Sequence, residues 1–395
     1  MQSNGSIDWI DRDRCTGCLL CMAICPQKAV TMKYNNEGFI FPQIEKNKCI
    51  NCGLCLNNCP LVRCPQGKET IEKKILQLKD TNYLRNSASG GAAFGLAEVI
   101  LRMKGSVAGC VLDNNMLPVH ILSNKFEDII KMQGSKYVQS KMTAEIYQAI
   151  KTKVLEGEKV LFIGTPCQVA GVLNICDKTT DNLFTMELIC HGVTSPGLYR
   201  HYIESKAREI GGQIEEVQFR SRKVGRYPQN HSIRIKTTCN EYCVHALDDP
   251  YGSSFYHNRI LRESCYQCPF ASQKRIADLT IGDYDVPDDI KNDFPSELGF
   301  SAVLINSGKG RRLVEQALDL FESHQIETDY APINLIQPTM RPKERDKMRD
   351  MHSDIDNPCK DIGFKVRITI KDRIKRHFPQ SIKDKIKKQI WRLKA

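Results

Sequence analysis

The chain has 395 residues, 26% of them charged, with 18 cysteines and a formal net charge of +11. That length suits two or three domains with a sizeable core, and no stretch approaches the roughly 18 uninterrupted apolar residues of a membrane-spanning helix. Nearly all the positive charge lies in residues 363–395, where twelve Lys or Arg accompany Asp372 and Asp384, so the body is close to neutral and no nucleic-acid partner is expected.

Met1 to Ile10 lacks the charged and apolar regions of a secretory leader. A reducing, cytoplasmic setting is therefore expected for this cysteine-rich chain. Cys15-x2-Cys18-x2-Cys21-x3-Cys25-Pro26 recurs as Cys49-x2-Cys52-x2-Cys55-x3-Cys59-Pro60. Three thiolates on one tight loop grip three irons of a cube, and the fourth, before a proline, reaches the other cube. The spacing thus assigns Cys15, Cys18, Cys21 and Cys59 to one 4Fe–4S cluster, and Cys49, Cys52, Cys55 and Cys25 to a second. Zinc sites usually show paired C-x2-C rather than triplets followed by Cys-Pro, and a disulfide framework needs an oxidising compartment. Between the repeats, Ala29 to Pro42 reads as a hairpin turning at Asn35-Asn36-Glu37-Gly38. Cys64 comes too late to be a ligand and reads as structural. Residues 65–82, rich in Lys and Glu, read as a linker or a solvated helix.

Tyr83 to Gly91 opens an apolar helix reaching about Met103. Ser89, Gly90 and Gly91 at its start leave backbone N–H groups free, either for an anion or for ordinary Ser capping. Ser106 to Leu112 reads as a strand. In the loop Gly134-Ser135-Lys136-Tyr137-Val138-Gln139-Ser140, Lys136 could meet a phosphate and Tyr137 could stack on a ring, or both could be surface residues. A helix follows over Thr143 to Leu155. The strand Lys159–Ile163 runs into Gly164-Thr165-Pro166-Cys167-Gln168 and a short helix, Val169–Leu173. The strand Leu183–Ile189 ends in Cys190-His191-Gly192. Turns at the carboxyl ends of such strands are where ligands bind in open α/β sheets.

Cys265-Tyr266-Gln267-Cys268 adds a C-x2-C loop. Cys167, Cys190, Cys265 and Cys268 therefore form a candidate third metal site, suited to zinc or iron–sulfur alike, unless they are four unrelated core thiols. Cys110, Cys176, Cys239, Cys243 and Cys359 read as structural, and His120, His231 and His257 as satisfied polar residues. The basic loop Phe219–Tyr227 could hold a phosphate, an acidic ferredoxin or an anionic substrate, or be solvated. Asp278 to Asp285 reads as a strand with an acidic turn, and residues 300–325 as another strand and an Arg-rich helix start. In the tail, Ser381 to Lys394 places Ile382, Ile386, Ile390 and Leu393 on one helical face with Trp391 flanking. That suits peripheral contact with a membrane or a partner, or packing on the body.

Taken together, Ser89-Gly90-Gly91, Gly134-Ser135-Lys136-Tyr137, Gly164-Thr165-Pro166-Cys167-Gln168, Cys190-His191-Gly192 and Cys265-x2-Cys268 closely resemble the family of coenzyme F-420 hydrogenase/dehydrogenase beta subunits with a fused dicluster ferredoxin. The resemblance covers about residues 8–310 and extends to bacterial homologues found with polysaccharide-biosynthesis enzymes. It implies FAD beside a third 4Fe–4S cluster held by Cys167, Cys190, Cys265 and Cys268. The implied flavin contacts are Ser89, Gly90, Gly91, Gly134, Ser135, Lys136, Tyr137, Gly164, Thr165 and Gln168. Relatives often carry a Gly-Asp-aromatic-Trp run, but here Gly282-Asp283-Tyr284 is followed by Asp285.

The expected fold is α+β to α/β: a dicluster ferredoxin module followed by a mixed α/β flavin and iron–sulfur domain. The expected divisions are 1–64 (ferredoxin), 65–82 (linker), 83–160 (flavin-binding part), 161–340 (third cluster) and 341–395 (basic tail). The expected function is an iron–sulfur flavoprotein oxidoreductase. Electrons come from reduced ferredoxin, another low-potential donor or a deazaflavin, and reach an organic substrate through the clusters and FAD. Lys136, Tyr137 and His191 are the candidate catalytic groups. The rival readings are an electron-transfer subunit without its own substrate and a zinc-stabilised binding or scaffold protein.

Overall fold

The computed structural model describes residues 5–176, 181–222, 232–284, 298–326, 330 and 332–347. The helix expected over Ser381–Lys394, the second half of the basic loop, Asp285, His231 and Cys359 lie outside the described residues. No helix among the described residues is long and apolar enough to cross a membrane.

The N-terminal module has α1 (Leu20–Ala23), β1 (Val30–Tyr34), β2 (Ile40–Ile44) and α2 (Leu54–Asn57). β1 and β2 form the expected antiparallel hairpin, with Val30 opposite Ile44. Its turn is closed by Asn35, whose Oδ1 accepts from the Phe39 N–H at 2.8 Å. Gly38 has φ +76°, and a Cβ there would lie 2.6 Å from the Cα of Gly197, so the turn packs backbone to backbone on the body.

The body then runs β3 (Glu72–Leu78), α3 (Thr81–Asn86), α4 (Ala92–Arg102), β4 (Ser106–Leu112), β5 (Pro118–Ser123), α5 (Phe126–Met132), α6 (Ala144–Leu155), β6 (Val160–Gly164), α7 (Pro166–Ile175) and β7 (Leu183–Leu188). After these come α8 (Pro196–Ile210), β8 (Ile214–Ser221), β9 (Ser232–Thr237), β10 (Glu241–His245), α9 (Pro250–Tyr256), β11 (Leu279–Tyr284), β12 (Phe300–Ile305), α10 (Gly308–Glu315) and β13 (Phe321–Gln325). Eight strands make one sheet in the order β13-β3-β12-β11-β7-β6-β4-β5. Its centre, β11-β7-β6-β4, is parallel, and antiparallel strands extend both sides. The expected division between residues 160 and 161 falls inside this sheet, where β4 and β6 are paired. A second, antiparallel sheet, β10-β9-β8, packs with α8 and α9 through Tyr199, Phe219 and Tyr251.

The segment 65–82 is neither a linker nor a solvated helix. Glu72–Leu78 is a strand between β12 and β13, with Ile75 and Leu76 wholly buried. Its Lys and Glu residues disguise it: Glu72 and Lys74 pair with each other at 2.8 Å while the apolar half enters the sheet. The burial that makes it a strand comes from partners more than two hundred residues away in sequence, which local composition does not report.

One face of the large sheet is covered by α4 and α10, where Leu96 and Ile100 meet Met186, Val303 and Leu313. The other is covered by α6 and α7, where Tyr147, Ile150 and Val172 meet Phe162. Cys18, Leu19 and Leu20 of the N-terminal module belong to this second cluster, so module and body share one core.

The segment before α4 is not continuous helix. Tyr83 to Asn86 end the separate helix α3, and Ser87 to Gly91 form the link. A Cβ on Gly90 would sit 2.1 Å from the Leu76 carbonyl oxygen and 2.4 Å from the Ser301 nitrogen, so the link lies directly on the backbones of β3 and β12. Gly90→Ala is expected to destabilise the fold by about 1–3 kcal/mol, as overpacking against unyielding backbone does. A lowered thermal unfolding midpoint checks this, and a wild-type midpoint would contradict it.

Candidate redox site

The eight N-terminal cysteines fall into two groups. Cys25, Cys49, Cys52 and Cys55 line one small pocket of about 20 Å³, with Cys52 exposed. Cys18, Cys21 and Cys59 are buried beside Cys15. Burial, then the neighbouring Cys18, Cys15 and Cys59 thiolates, hold the Cys21 thiol well above its usual range. Burial and the Cys15 thiolate raise Cys59 to about 11, against the Leu61 N–H.

A third group forms in the body. Cys167 begins α7 at the end of β6, Cys190 follows β7, and Cys265 and Cys268 lie in the loop after α9. Burial comes first, then Cys265, Cys167 and Cys268, in pushing the Cys190 thiol far up. Cys265 rises to about 12 through burial and Cys268, and Cys268 to about 11 through burial and Cys167. Buried thiols that repel one another as thiolates are unfavourable alone, whereas a bound metal deprotonates its thiols outright. The chemistry of the donor set therefore fits a metal cluster. No three His, Cys, Asp or Glu side chains among the described residues converge as a single-ion site. In a cubane each thiolate takes its own iron.

The first and third groups are neighbours. The Cys167 thiolate is among the charges that raise Cys18. Tyr147 lies beside both groups, its hydroxyl donating to the Cys18 carbonyl at 2.8 Å. Arg262 locks the two halves together. Its Nε donates to the Cys15 carbonyl at 2.7 Å, Nη1 to Gln139 Oε1 at 2.9 Å, and Nη2 to the Ile40 carbonyl at 3.0 Å. Gln139 Nε2 in turn donates to the Gly17 carbonyl at 2.8 Å. Arg262 carried no signal in the sequence beyond standing three residues before Cys265.

A cavity of about 460 Å³ opens at the carboxyl ends of β6, β7 and β11. That volume is within the roughly 300–1,000 Å³ of small-molecule and cofactor sites. Thr16 and Gly17 of the first cysteine loop line it, as do Cys167 and Cys190. Of the residues the sequence nominated, Ser89, Gly91, Gly134, Ser135, Lys136, Tyr137, Gly164, Thr165, Gln168 and His191 line it too. Gly90 does not; it is pressed on the sheet backbone instead.

Position and availability differ among these residues. Lys136 Nζ donates to the carbonyls of Lys131, Met132 and Gln133 at 3.2, 2.9 and 2.7 Å, closing the end of α5. An ammonium has three protons, so none is left for a phosphate or a substrate, and Lys136 is corrected from a catalytic candidate to a helix cap. Tyr137 stacks on Phe255 with ring centroids 4.5 Å apart, and its hydroxyl accepts from that of Tyr256 at 3.4 Å. His191 stands in the cavity wall, its pKa lowered by burial against contacts with Asn258 and the Phe255 backbone.

Gln168 completes a capping box with Thr165, and its Nε2 donates to Ser140 Oγ at 2.8 Å. Ser140 reaches His120 Nδ1 at 3.0 Å, and His120 Nε2 donates to the Ile163 carbonyl at 3.1 Å. His120 is thus a satisfied polar residue, held neutral by burial with its pKa lowered to about 4. This chain fixes the turn in which the Thr165 hydroxyl sits 3.2 Å from the Cys167 sulfur.

The described half of the basic segment turns inward. Arg220 makes two bonds to Asp283, at 2.9 and 2.7 Å, in the cavity wall. Arg222 Nη2 donates to the Ser87 and Ser89 carbonyls at 3.1 and 3.3 Å and braces the link before α4. Sequence reasoning also missed Gly17, Cys110, Phe255 and Tyr256 as wall residues, since they come from separate elements without a shared motif.

Residues 157–329 match the family described as the C terminus of the coenzyme F420 hydrogenase/dehydrogenase beta subunit, and residues 14–62 match the 4Fe-4S dicluster domain. The chain is 21% identical over 342 residues to one of the subunits of the F(420)H(2) dehydrogenase of Methanosarcina mazei, covering 79% of this chain and 85% of that one. It is 25% identical over 206 residues to an uncharacterized protein of Methanocaldococcus jannaschii, covering 44% and 56% respectively. A chain of the F420-reducing [NiFe] hydrogenase complex from Methanosarcina barkeri aligns with TM-score 0.44 and 18% identity, over 78% of this chain and 95% of that one.

Replacing Lys136 tests its role as a cap. Lys136→Met leaves three carbonyls without their donor and is expected to cost about 1–3 kcal/mol of stability. Burial lowers this lysine to about 8 in the folded chain. The unfolded chain therefore keeps the proton to higher pH, wild-type stability rises above about pH 8, and Lys136→Met flattens that rise. Denaturant midpoints on both sides of that pH check it.

Proposed function

Because the chain joins a 4Fe-4S dicluster domain to the C-terminal domain found in coenzyme F420 hydrogenase/dehydrogenase beta subunits, we propose that it is an iron–sulfur flavoprotein oxidoreductase. The observation that carries this reading is a single cavity walled both by the first ferredoxin loop, Thr16-Gly17, and by Cys167 and Cys190. The loop that carries Cys15 and Cys18 and two cysteines of the third group thus border one ligand-sized space.

In this reading Cys15, Cys18, Cys21 and Cys59 hold one cubane, Cys25, Cys49, Cys52 and Cys55 a second, and Cys167, Cys190, Cys265 and Cys268 a third. The exposed edge at Cys52 receives electrons from reduced ferredoxin or another low-potential donor. FAD, when bound in the cavity, supplies the exchange between one-electron and two-electron chemistry. The backbone at Ser87 to Gly91, braced by Arg222 and opening the 11-residue α4, binds its phosphates. Tyr137 and His191, both in the cavity wall, orient its ring. Gly164 and Thr165 set the floor, and the Arg220–Asp283 pair forms part of one wall.

A second reading is an electron-transfer subunit that docks on a separate catalytic chain. The relative in Methanosarcina mazei, itself named as a dehydrogenase subunit, favours it. Failure of the isolated chain to oxidise or reduce any small molecule, together with reduction of a partner protein, would support this reading over the first.

Oxygen-free purification tests the cofactors. About twelve irons from three cubes and one flavin per chain are expected. Cys190→Ser and Cys265→Ser should each lose about four irons and keep the two ferredoxin cubes. About eight irons in the unaltered protein, with no flavin released on denaturation, would refute the proposal.

A further inference from the structure

Arg262, Arg275 and Arg345 are almost wholly buried. Arg275 meets Glu187 at 2.7 Å, and Arg345 meets Glu37 at 2.6 Å. Arg262 has no such partner among the described residues. It binds the carbonyls of Cys15 and Ile40 and the amide oxygen of Gln139, and it lies over the rings of Phe41 and Phe39 at 4.1 and 5.4 Å. The adjacent carboxylate, Glu263, is engaged by Arg341 and faces Arg345. A guanidinium buried among neutral groups is strongly unfavourable unless an anion lies close.

The nearest groups that can carry that negative charge are the cysteine sets on either side. Arg262 hydrogen-bonds the main chain of Cys15 in the first set and stands three residues before Cys265 in the third. Its charge also acts on Cys167 and Cys265, favouring their thiolates. We propose that Arg262 is the buried counter-charge shared by the first and third cubanes, and that it makes both easier to reduce than they would be without it. The inference rests on the three-cluster reading above. Its physics is a sign argument. A cube with four thiolates is negative, reduction adds one more negative charge, and a fixed cation nearby stabilises the reduced form more than the oxidised one. Arg262 is a positioning residue that acts through the ligands and takes no part in the chemistry.

The test is a mediated redox titration of the oxygen-free holoprotein, followed by electron paramagnetic resonance. In Arg262→Gln the reduced-to-oxidised ratio of the first and third cubes at fixed potential should fall about tenfold, which is about 59 mV for one electron. The second cube should not move and serves as internal control. Arg262→Lys keeps the charge and should stay near wild type. Gln139→Glu pairs the arginine with a carboxylate at the Nη1 contact, and should shift the same two cubes the same way even where Arg262→Gln fails to assemble. Unmoved midpoints in a fully loaded Gln139→Glu or Arg262→Gln would overturn the inference. So would equal shifts in the Lys and Gln variants, because contact geometry rather than charge would then be the cause. An unaltered protein with about eight irons would instead overturn the three-cluster reading, and the shared role with it. That result differs from a failure of Arg262 alone, in which about twelve irons remain and the midpoints stay put.

Discussion

One side chain holds the first cysteine loop, the ferredoxin hairpin and the cavity wall in register. Arg262 reaches Cys15, Ile40 and Gln139 with three separate nitrogens, and Gln139 passes the constraint on to Gly17. Around this point the N-terminal module ceases to be a separate bead. Gly17 has φ +66°, and a Cβ there would lie 2.1 Å from Gln139 Nε2, so only glycine admits the approach. Asn174 from α7 donates to the carbonyls of Asn58 and Arg63, and the Glu37 carbonyl accepts from Ser195 at 2.5 Å. Polar contacts to main-chain carbonyls, rather than a broad apolar seam alone, fix where each cysteine loop stands. Distances between redox centres depend on that placement.

The large sheet supplies the second half of the arrangement. Parallel strands β6, β7 and β11 deliver their carboxyl ends to one edge, and the turns after β6 and β7 carry Cys167 and Cys190. The capping box of Thr165 and Gln168, extended through Ser140 to His120, stiffens the first of these turns. The opposite wall is the link Ser87 to Gly91, seated on β3 and β12. A pair of neighbouring cysteines and a ligand-sized space are therefore consequences of the same strand order.

The sequence made some of this legible and hid the rest, for physical reasons. The eight ferredoxin cysteines declare themselves because cubane ligation is local: three thiolates must share one loop, so the spacing is written in consecutive residues. Cys167, Cys190, Cys265 and Cys268 were readable only as strand-end and C-x2-C positions, and the fold is what brings them side by side. β3 is hidden in the sequence because its charged first half resembles a linker, while its strand character comes from β12 and β13. Lys136 sits in the cavity wall as the loop pattern suggested, yet its three protons are committed to α5. Arg262 is silent because its partners are two main-chain carbonyls and one amide oxygen, which leave no trace in residue type, whereas Arg222 stands out in the basic loop and turns to main-chain carbonyls instead of an anion.

The proposed electron path needs three sulfur-ligated iron centres in one folded unit beside one cavity. Anomalous diffraction at the iron edge, from crystals grown without oxygen, addresses this directly. It should show iron at Cys15/Cys18/Cys21/Cys59, at Cys25/Cys49/Cys52/Cys55 and at Cys167/Cys190/Cys265/Cys268. Iron at the first two alone, or zinc at the third, would contradict it.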